Sequence, residues 1–331
     1  MPFCLRLKIA VVGCGAVGSF YGAKLCRAGQ EVHFLLRSDY AAVCRDGVRI
    51  RSLEGDFRVQ PRCARRPEEV GKADLVLIGL KTTANDQFAA LVPPLVGPQT
   101  AVVSLQNGLG NERALAALVG AEKVLGGLCF VCLNRVAPGV IAHTAHGRVE
   151  LGEYQRPPTR RTEALAALFQ NAGAPCTVVR NLEQAHWEKL VWNIPFNGLG
   201  VAGVAGYEAV LGGCLKERSV ARACLPTDQL LGQPRWRQLL RELMGEVIAA
   251  ANALGLPVPV SLADYQISRT LCMGAYKAST LLDFEHGQPL ELESLFLEPL
   301  RQAQRAGVPT PRLAALCAVL AELDSLPLRP A

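Results

Sequence analysis

Residues 8–18 read Lys8-Ile9-Ala10-Val11-Val12-Gly13-Cys14-Gly15-Ala16-Val17-Gly18, and the order of residue types there decides the first half of the fold. A short apolar run of this kind suits a strand buried on both faces. The glycines that follow mark a tight turn. Residues 16–28 then read as a helix, stopped by Gly29 in the C-cap region. A second apolar run at residues 31–36 completes a strand–turn–helix–strand unit. A G-x-G-x-x-G match is weak alone, but in this frame it predicts dinucleotide binding. Gly13 permits the turn, Gly15 lets the backbone approach a pyrophosphate, and Gly18 lets the helix pack on the strand. Cys14, Ala16 and Val17 complete the loop, whose N–H groups and helix dipole favour phosphate.

Working outward, apolar runs at 75–80, 101–105 and 124–131 alternate with helical stretches, the rhythm of a parallel sheet with crossover helices. Residues 125–133 and 139–152 read as two strands around a Pro138-Gly139 turn. A surface loop at 152–162, a short helix at 165–172 and a last strand at 176–179 follow. Beyond Asn181 the texture becomes amphipathic helices without clear strands. Residues 236–254 place Leu239, Leu240, Leu243, Val247, Ile248 and Ala251 on one face, ended by Gly255 and Pro257. Leu292, Leu295, Phe296, Leu300 and Ala303 repeat the pattern, with Pro299 predicted to bend that helix. The expected fold is α/β: an N-terminal Rossmann-type dinucleotide-binding domain (residues 1–180) followed by an all-helical C-terminal domain (residues 181–331).

The length of 331 residues and a hydrophobic share of 50% supply two cores. The net charge of +6 comes without a Lys/Arg run or interleaved aromatics, which argues against nucleic acid and suits small anions. The N-terminus enters a strand directly instead of a signal or transit sequence, and no apolar stretch reaches bilayer length. A cytoplasmic protein off the membrane is expected, its 12 cysteines reduced. Cys129, Cys132, His143 and His146 mimic zinc-ligand spacing. Cysteines three apart on a strand point to opposite faces, however, so core thiols and hairpin histidines are the better reading, with no metal. The assembly is left open, with a homodimer as one expectation.

The end of the second strand chooses between nicotinamide cofactors. An acidic residue there would bind ribose hydroxyls, whereas Phe34-Leu35-Leu36-Arg37 presents a guanidinium suited to a 2′-phosphate, so NADPH is expected. Asp39, two residues on, counts against that preference. Lys81 closes the strand at 75–80, and Asn107-Gly108 follows the one at 101–105. Both lie at carboxyl ends of strands, where open parallel sheets bind ligands.

At the start of the helical half, Lys189, Asn193 and Asn197 stand at i, i+4 and i+8 on one stripe, beside Trp187, Val191 and Ile194. Two asparagines in so apolar a setting cost free energy unless they find partners. Pro195 removes one helical hydrogen bond and predicts a kink before Asn197. Ser279-Thr280 and Asp283 read equally well as a cap or turn, and Glu291 is favourable at a helix start by the dipole alone.

The turn at 13–18, Arg37, Lys81, Gln106-Asn107-Gly108, the Lys189/Asn193/Asn197 stripe and Ser279…Asp283…Glu291 together resemble the 2-dehydropantoate 2-reductase (ketopantoate reductase) family over nearly the whole chain. The resemblance implies NADPH-dependent reduction of 2-dehydropantoate to (R)-pantoate, a step toward pantothenate and coenzyme A. It makes Lys189 the general acid, and gives Glu291 to the substrate hydroxyl or the lysine ammonium. Asn193, Asn197 and Ser279 would hold the substrate, Asn107 would bridge substrate and cofactor, and Lys81 would lie near the nicotinamide. Leu290, Thr280 and Tyr276 depart from the family pattern, which keeps a differently branched 2-oxo acid open. A 3-hydroxy acid dehydrogenase shares only the lysine–asparagine spacing. A non-catalytic NADP(H) sensor is the alternative of another class, and the retained Lys189 and Glu291 speak against it.

Overall fold

The structure, a computed structural model, describes residues 6–216 and 223–326. The chain divides into two compact units, one ending at Leu182 and the other beginning at Glu183.

The first unit is built on ten strands among the described residues: β1 (Lys8–Val12), β2 (Glu31–Leu35), β3 (Val48–Ser52), β4 (Phe57–Val59), β5 (Arg62–Ala64), β6 (Ala73–Ile78), β7 (Val96–Ser104), β8 (Val124–Ala137), β9 (Val140–Glu153) and β10 (Cys176–Val178). Their order is β4-β3-β9-β8-β7-β6-β1-β2-β5, with β10 added to β9. The expected runs form the parallel centre, β8-β7-β6-β1-β2. The hairpin around Pro138-Gly139 is also present, its two strands antiparallel. Strands β3, β4 and β5 are additions to the sequence reading. β5 extends the sheet beyond β2, whereas β3 crosses to the far side and pairs with β9.

That crossing curls the sheet around the first helix, α1 (Ala16–Arg27), which touches β1, β2, β3, β4, β6, β8 and β9. Residues Gly18 to Leu25 are consecutively buried, so α1 has no solvent face over that stretch. A helix buried all round needs apolar or paired side chains on every side. Phe20, Tyr21, Ala23 and Leu25 supply the apolar surface, each large side chain stabilising by roughly 1.5–3 kcal/mol. Buried Lys24 is paired: its Nζ donates to Glu54 Oε2 (2.8 Å) and to Gly173 O (2.6 Å). Gly22 permits the close approach to β2, because a Cβ there would lie 2.6 Å from the Phe34 ring. Gly29 takes φ +89° just beyond the helix, as expected of its position.

In the hairpin, His143 is engaged within the protein: Nδ1 pairs with Ser52 Oγ (2.8 Å) and Nε2 with His146 O (2.8 Å). Cys129 stands opposite Val149, and Cys132 opposite Ala145. The helix at Arg160–Asn171 starts five residues earlier than expected, because Thr159 and Thr162 form a reciprocal cap.

The described residues of the second unit are helical without strands. Its longest helices are Leu182–Ala202, which opens it, Pro234–Ala253 and Pro311–Ser325. The six residues assigned to one face of Pro234–Ala253 are all buried. Pro195 does not end its helix, which runs on to Ala202. The irregularity expected at Pro299 lies just before it, as a π-turn at Glu293–Leu297, and Pro299 occupies the first turn of Glu298–Arg305. A proline needs no N–H partner there, and the wider turn absorbs the misfit.

Candidate active site

The three glycines of the first turn have separable roles. Gly13 has φ +93°, and a Cβ on it would lie 2.2 Å from Leu80 N; one on Gly18 would lie 2.2 Å from Gly13 O. The fold itself requires both. A Cβ on Gly15 would meet nothing within 4 Å, so no protein atom explains that glycine. Gly15 is also the N-cap of α1, with no side-chain cap and no acidic residue in the first turn. An open space before uncapped N–H groups is what a pyrophosphate needs. Cys14 contributes backbone: its Sγ turns back to Val11 O and Leu35 O, both at 3.5 Å, and burial pushes its pKa well up. Ser19 Oγ donates to Cys14 O at 2.9 Å, fixing the loop. Ala16 and Val17 form the first helical residues.

Arg37 stands two residues past β2, exposed, with no side-chain partner among the described residues. Asp39 is buried and does not share that surface. Its carboxylate receives Arg135 Nε at 2.9 Å, Arg135 Nη2, Gly139 N at 3.0 Å and Ser38 Oγ at 3.1 Å. Burial alone would raise its pKa, but those donors outweigh it and hold the carboxyl below its ordinary value. Asp39, which counted against a 2′-phosphate, is thus already engaged within the protein.

Lys81 is exposed three residues past β6, and Asn107 half-buried three past β7. With the turn after β1 and Arg37 after β2, they occupy the carboxyl ends of four neighbouring strands, in the order β7-β6-β1-β2. One polar chain ties the loops after β6 and β7 together. Gln106 Nε2 donates to Leu80 O (3.0 Å) and Asn85 Oδ1 (2.8 Å). Asn85 Nδ2 donates to Asn111 Oδ1 (2.8 Å), and Asn111 Nδ2 to Asn107 O (3.0 Å). The sequence reading missed Asn85 and Asn111. Their only signal is a local run of polar residues, which does not separate a solvated turn from a buried network.

In the second unit, the Leu182–Ala202 helix carries Lys189, half-buried, with Asn193 and Asn197, both buried. Trp187, Val191 and Ile194 are sealed beside them. The asparagines differ. Asn197 Nδ2 donates to Asn193 O (3.0 Å), and its Oδ1 accepts from Thr280 N (3.3 Å). The Asn193 side chain has no hydrogen-bond partner among the described residues, although the residue is only 8% exposed. Ser279 is exposed, the first residue of the Ser279–Glu285 helix and not its cap, while its neighbour Thr280 is buried. Glu291, 9% exposed, lies just before the π-turn, and its carbonyl accepts from Leu295 N at 3.2 Å. Thr280 thus links the Ser279 region to Asn197.

Two family models match: "Ketopantoate reductase PanE/ApbA" over residues 9–156 and "Ketopantoate reductase PanE/ApbA C terminal" over residues 181–324. A curated 2-dehydropantoate 2-reductase of Nostoc sp. is 38% identical over 323 residues, covering 96% of this chain and 95% of its own. Among solved structures, a 2-dehydropantoate 2-reductase from Geobacter metallireducens superposes with TM-score 0.86 at 44% identity, covering 95% of this chain and 99% of that one. One from Methylococcus capsulatus gives 0.82 at 35%, covering 95% and 96%.

Proposed function

The chain belongs to the ketopantoate reductase family, and on that premise we propose that it reduces 2-dehydropantoate to (R)-pantoate, with Lys189 as the proton donor. NADPH, when bound, supplies the hydride that becomes the new C–H bond. The open Gly15 turn and the exposed Arg37 are the groups suited to its pyrophosphate and 2′-phosphate. Lys81 and Asn107 belong to the same strand-end edge and, in this reading, serve the nicotinamide end of the cofactor.

The chain's own residues manage the other half of the reduction. As the carbonyl carbon gains a hydride, its oxygen gains negative charge and needs a proton. A lysine ammonium stabilises that charge and donates the proton, leaving a neutral amine that is recharged from solvent. Asn197 has both amide ends engaged, which leaves one N–H and one lone pair for a ligand. Asn193 has its whole amide available, and that observation carries the site. An amide held in so buried a residue with its donors and acceptor uncommitted is suited to a substrate hydroxyl or carboxylate. Ser279 offers an exposed hydroxyl for the carboxylate, and Glu291 an acceptor for the substrate hydroxyl or the Lys189 ammonium. A cytoplasmic setting suits the described cysteines, all free thiols, and a homodimer is the assembly carried with this reading.

The test is NADPH oxidation with 2-dehydropantoate beside a panel of branched and unbranched 2-oxo acids. Lys189→Ala should cut kcat by about a hundred- to ten-thousandfold while NADPH still binds. Turnover of another 2-oxo acid alone would replace the substrate. Tight NADPH binding without any turnover would sink the enzymatic reading.

A further inference from the structure

Asp39 and Arg135 lie 96 positions apart in the chain, yet the guanidinium grips the carboxylate with two nitrogens. Arg135 stands near the end of β8, and Gly139, whose N–H donates to the same carboxylate, forms the hairpin turn with φ +68°. The turn is fixed in its own right: Arg49 N donates to Gly139 O at 2.8 Å. Counted by oxygen, Oδ1 receives Arg135 Nη2 and Ser38 Oγ, and Oδ2 receives Arg135 Nε and Gly139 N. Two donors on each oxygen saturate the in-plane lone pairs of a carboxylate.

We infer that Arg135 sets cofactor choice by withdrawing Asp39 from the ribose end of the nucleotide site. A free carboxylate two residues from Arg37 would do two things. It would accept hydrogen bonds from the ribose hydroxyls of NADH, and it would repel the 2′-phosphate of NADPH. The Arg135 clamp removes both effects, because the oxygens are occupied and the charge is cancelled by a guanidinium that is always protonated. Arg37, exposed and without a partner among the described residues, is then the charge left at the tip of β2. Arg135 need not touch the cofactor; it acts through Asp39. The inference rests on the reading of Arg37 as the phosphate ligand.

The experiment measures NADPH and NADH dissociation constants by fluorescence titration, with Tm, for Arg135→Gln, Arg135→Lys, Asp39→Asn, the double variant Arg135→Gln/Asp39→Asn, and Arg37→Ala. Arg135→Gln should shift the NADPH/NADH preference about tenfold toward NADH, equivalent to ~1.4 kcal/mol. Arg135→Lys should retain most of the preference, and the double variant should restore it. Asp39→Asn alone should keep or sharpen it, which tests the inference even if Arg135→Gln does not fold. An unchanged ratio in folded Arg135→Gln, equal weakening of both cofactors, no rescue in the double variant, or a shift toward NADH in Asp39→Asn would each overturn it. Loss of preference in Arg37→Ala but not Arg135→Gln would fail this inference alone. An unchanged ratio in Arg37→Ala would fail the underlying reading.

Discussion

Asn197 Oδ1 accepts the backbone N–H of Thr280 at 3.3 Å, joining two helices through an amide whose other end holds Asn193 O at 3.0 Å. Its neighbour on the stripe makes no such side-chain bond. Asn197→Ala should therefore lower stability by about 1–3 kcal/mol, because it strands a buried N–H. Asn193→Ala strands nothing, so its Tm should stay the same or rise, while KM for 2-dehydropantoate increases. Thermal melts and steady-state kinetics on the pair separate support from recognition. Equal KM values for Asn193→Ala and the parent would remove Asn193 from the substrate site.

The turn glycines make a second contrast. Gly15→Ala should fold with a nearly unchanged Tm, since its Cβ meets no protein atom within 4 Å, yet bind NADPH at least tenfold more weakly. Gly18→Ala places a Cβ 2.2 Å from Gly13 O and should destabilise the unit itself. Calorimetry with and without NADPH distinguishes them. Parent-like NADPH affinity in Gly15→Ala would mean the open space serves something else.

Asn85 is the middle link between Gln106 and Asn111. Asn85→Ala leaves one donor and one acceptor without their partner, a cost of about 1–3 kcal/mol. The further expectation is a fall in kcat/KM, because Asn111, which anchors the Asn107 carbonyl, loses the partner that fixes its own side chain. Asn85→Asp keeps the acceptor for Gln106 but offers Asn111 Oδ1 no donor, so it should recover the defect only in part. A melt shift without any kinetic change would reduce the network to a structural tie.

Glu153 answers to pH. Burial raises its pKa, but Arg161, Thr162 and Arg156 outweigh burial, and the net direction is below the ordinary 4.5. Thr162 Oγ1 lies 2.6 Å from Oε1 and Arg156 Nη2 2.9 Å from Oε2. A carboxylate with a depressed folded-state pKa stabilises fully above its unfolded value and loses that stabilisation as pH falls toward the folded value. Tm should hold above about pH 5 and decline below it. Glu153→Gln should start lower and show a shallower acid decline. An identical acid limb in the variant would assign the loss to other carboxylates.

The sequence is most readable where one short segment determines its own surroundings. The glycines at 13, 15 and 18 announce strand, turn and helix together, and the two periodicities separate the sheet half from the helical half. Residues 48–52, Val-Arg-Ile-Arg-Ser, carry the alternation of a half-buried strand: Val48 and Ile50 are buried, Arg49 and Arg51 exposed. Two arginines in five residues nonetheless mask that signal. Its partner on β9 lies about ninety residues away and leaves no local trace. The same holds for Asp39 and Arg135. Within the helical half, spacing put Lys189, Asn193 and Asn197 on one stripe, but it could not say which asparagine is already engaged. That depends on Thr280, brought close only by helix packing.

The curl of the sheet also orders the chain's assembly on the ribosome. β3 is made early, but β9, against which it pairs, is complete only at Glu153. Until then, Phe20 and Tyr21 lack the strand that closes over their side of α1, and the wall pairing β8 with β9 cannot form. More than a hundred residues are thus made after α1 before its β9-facing side can be covered. That interval is one in which a chaperone has something to hold, and a truncation before β9 leaves a hydrophobic surface instead of a smaller domain.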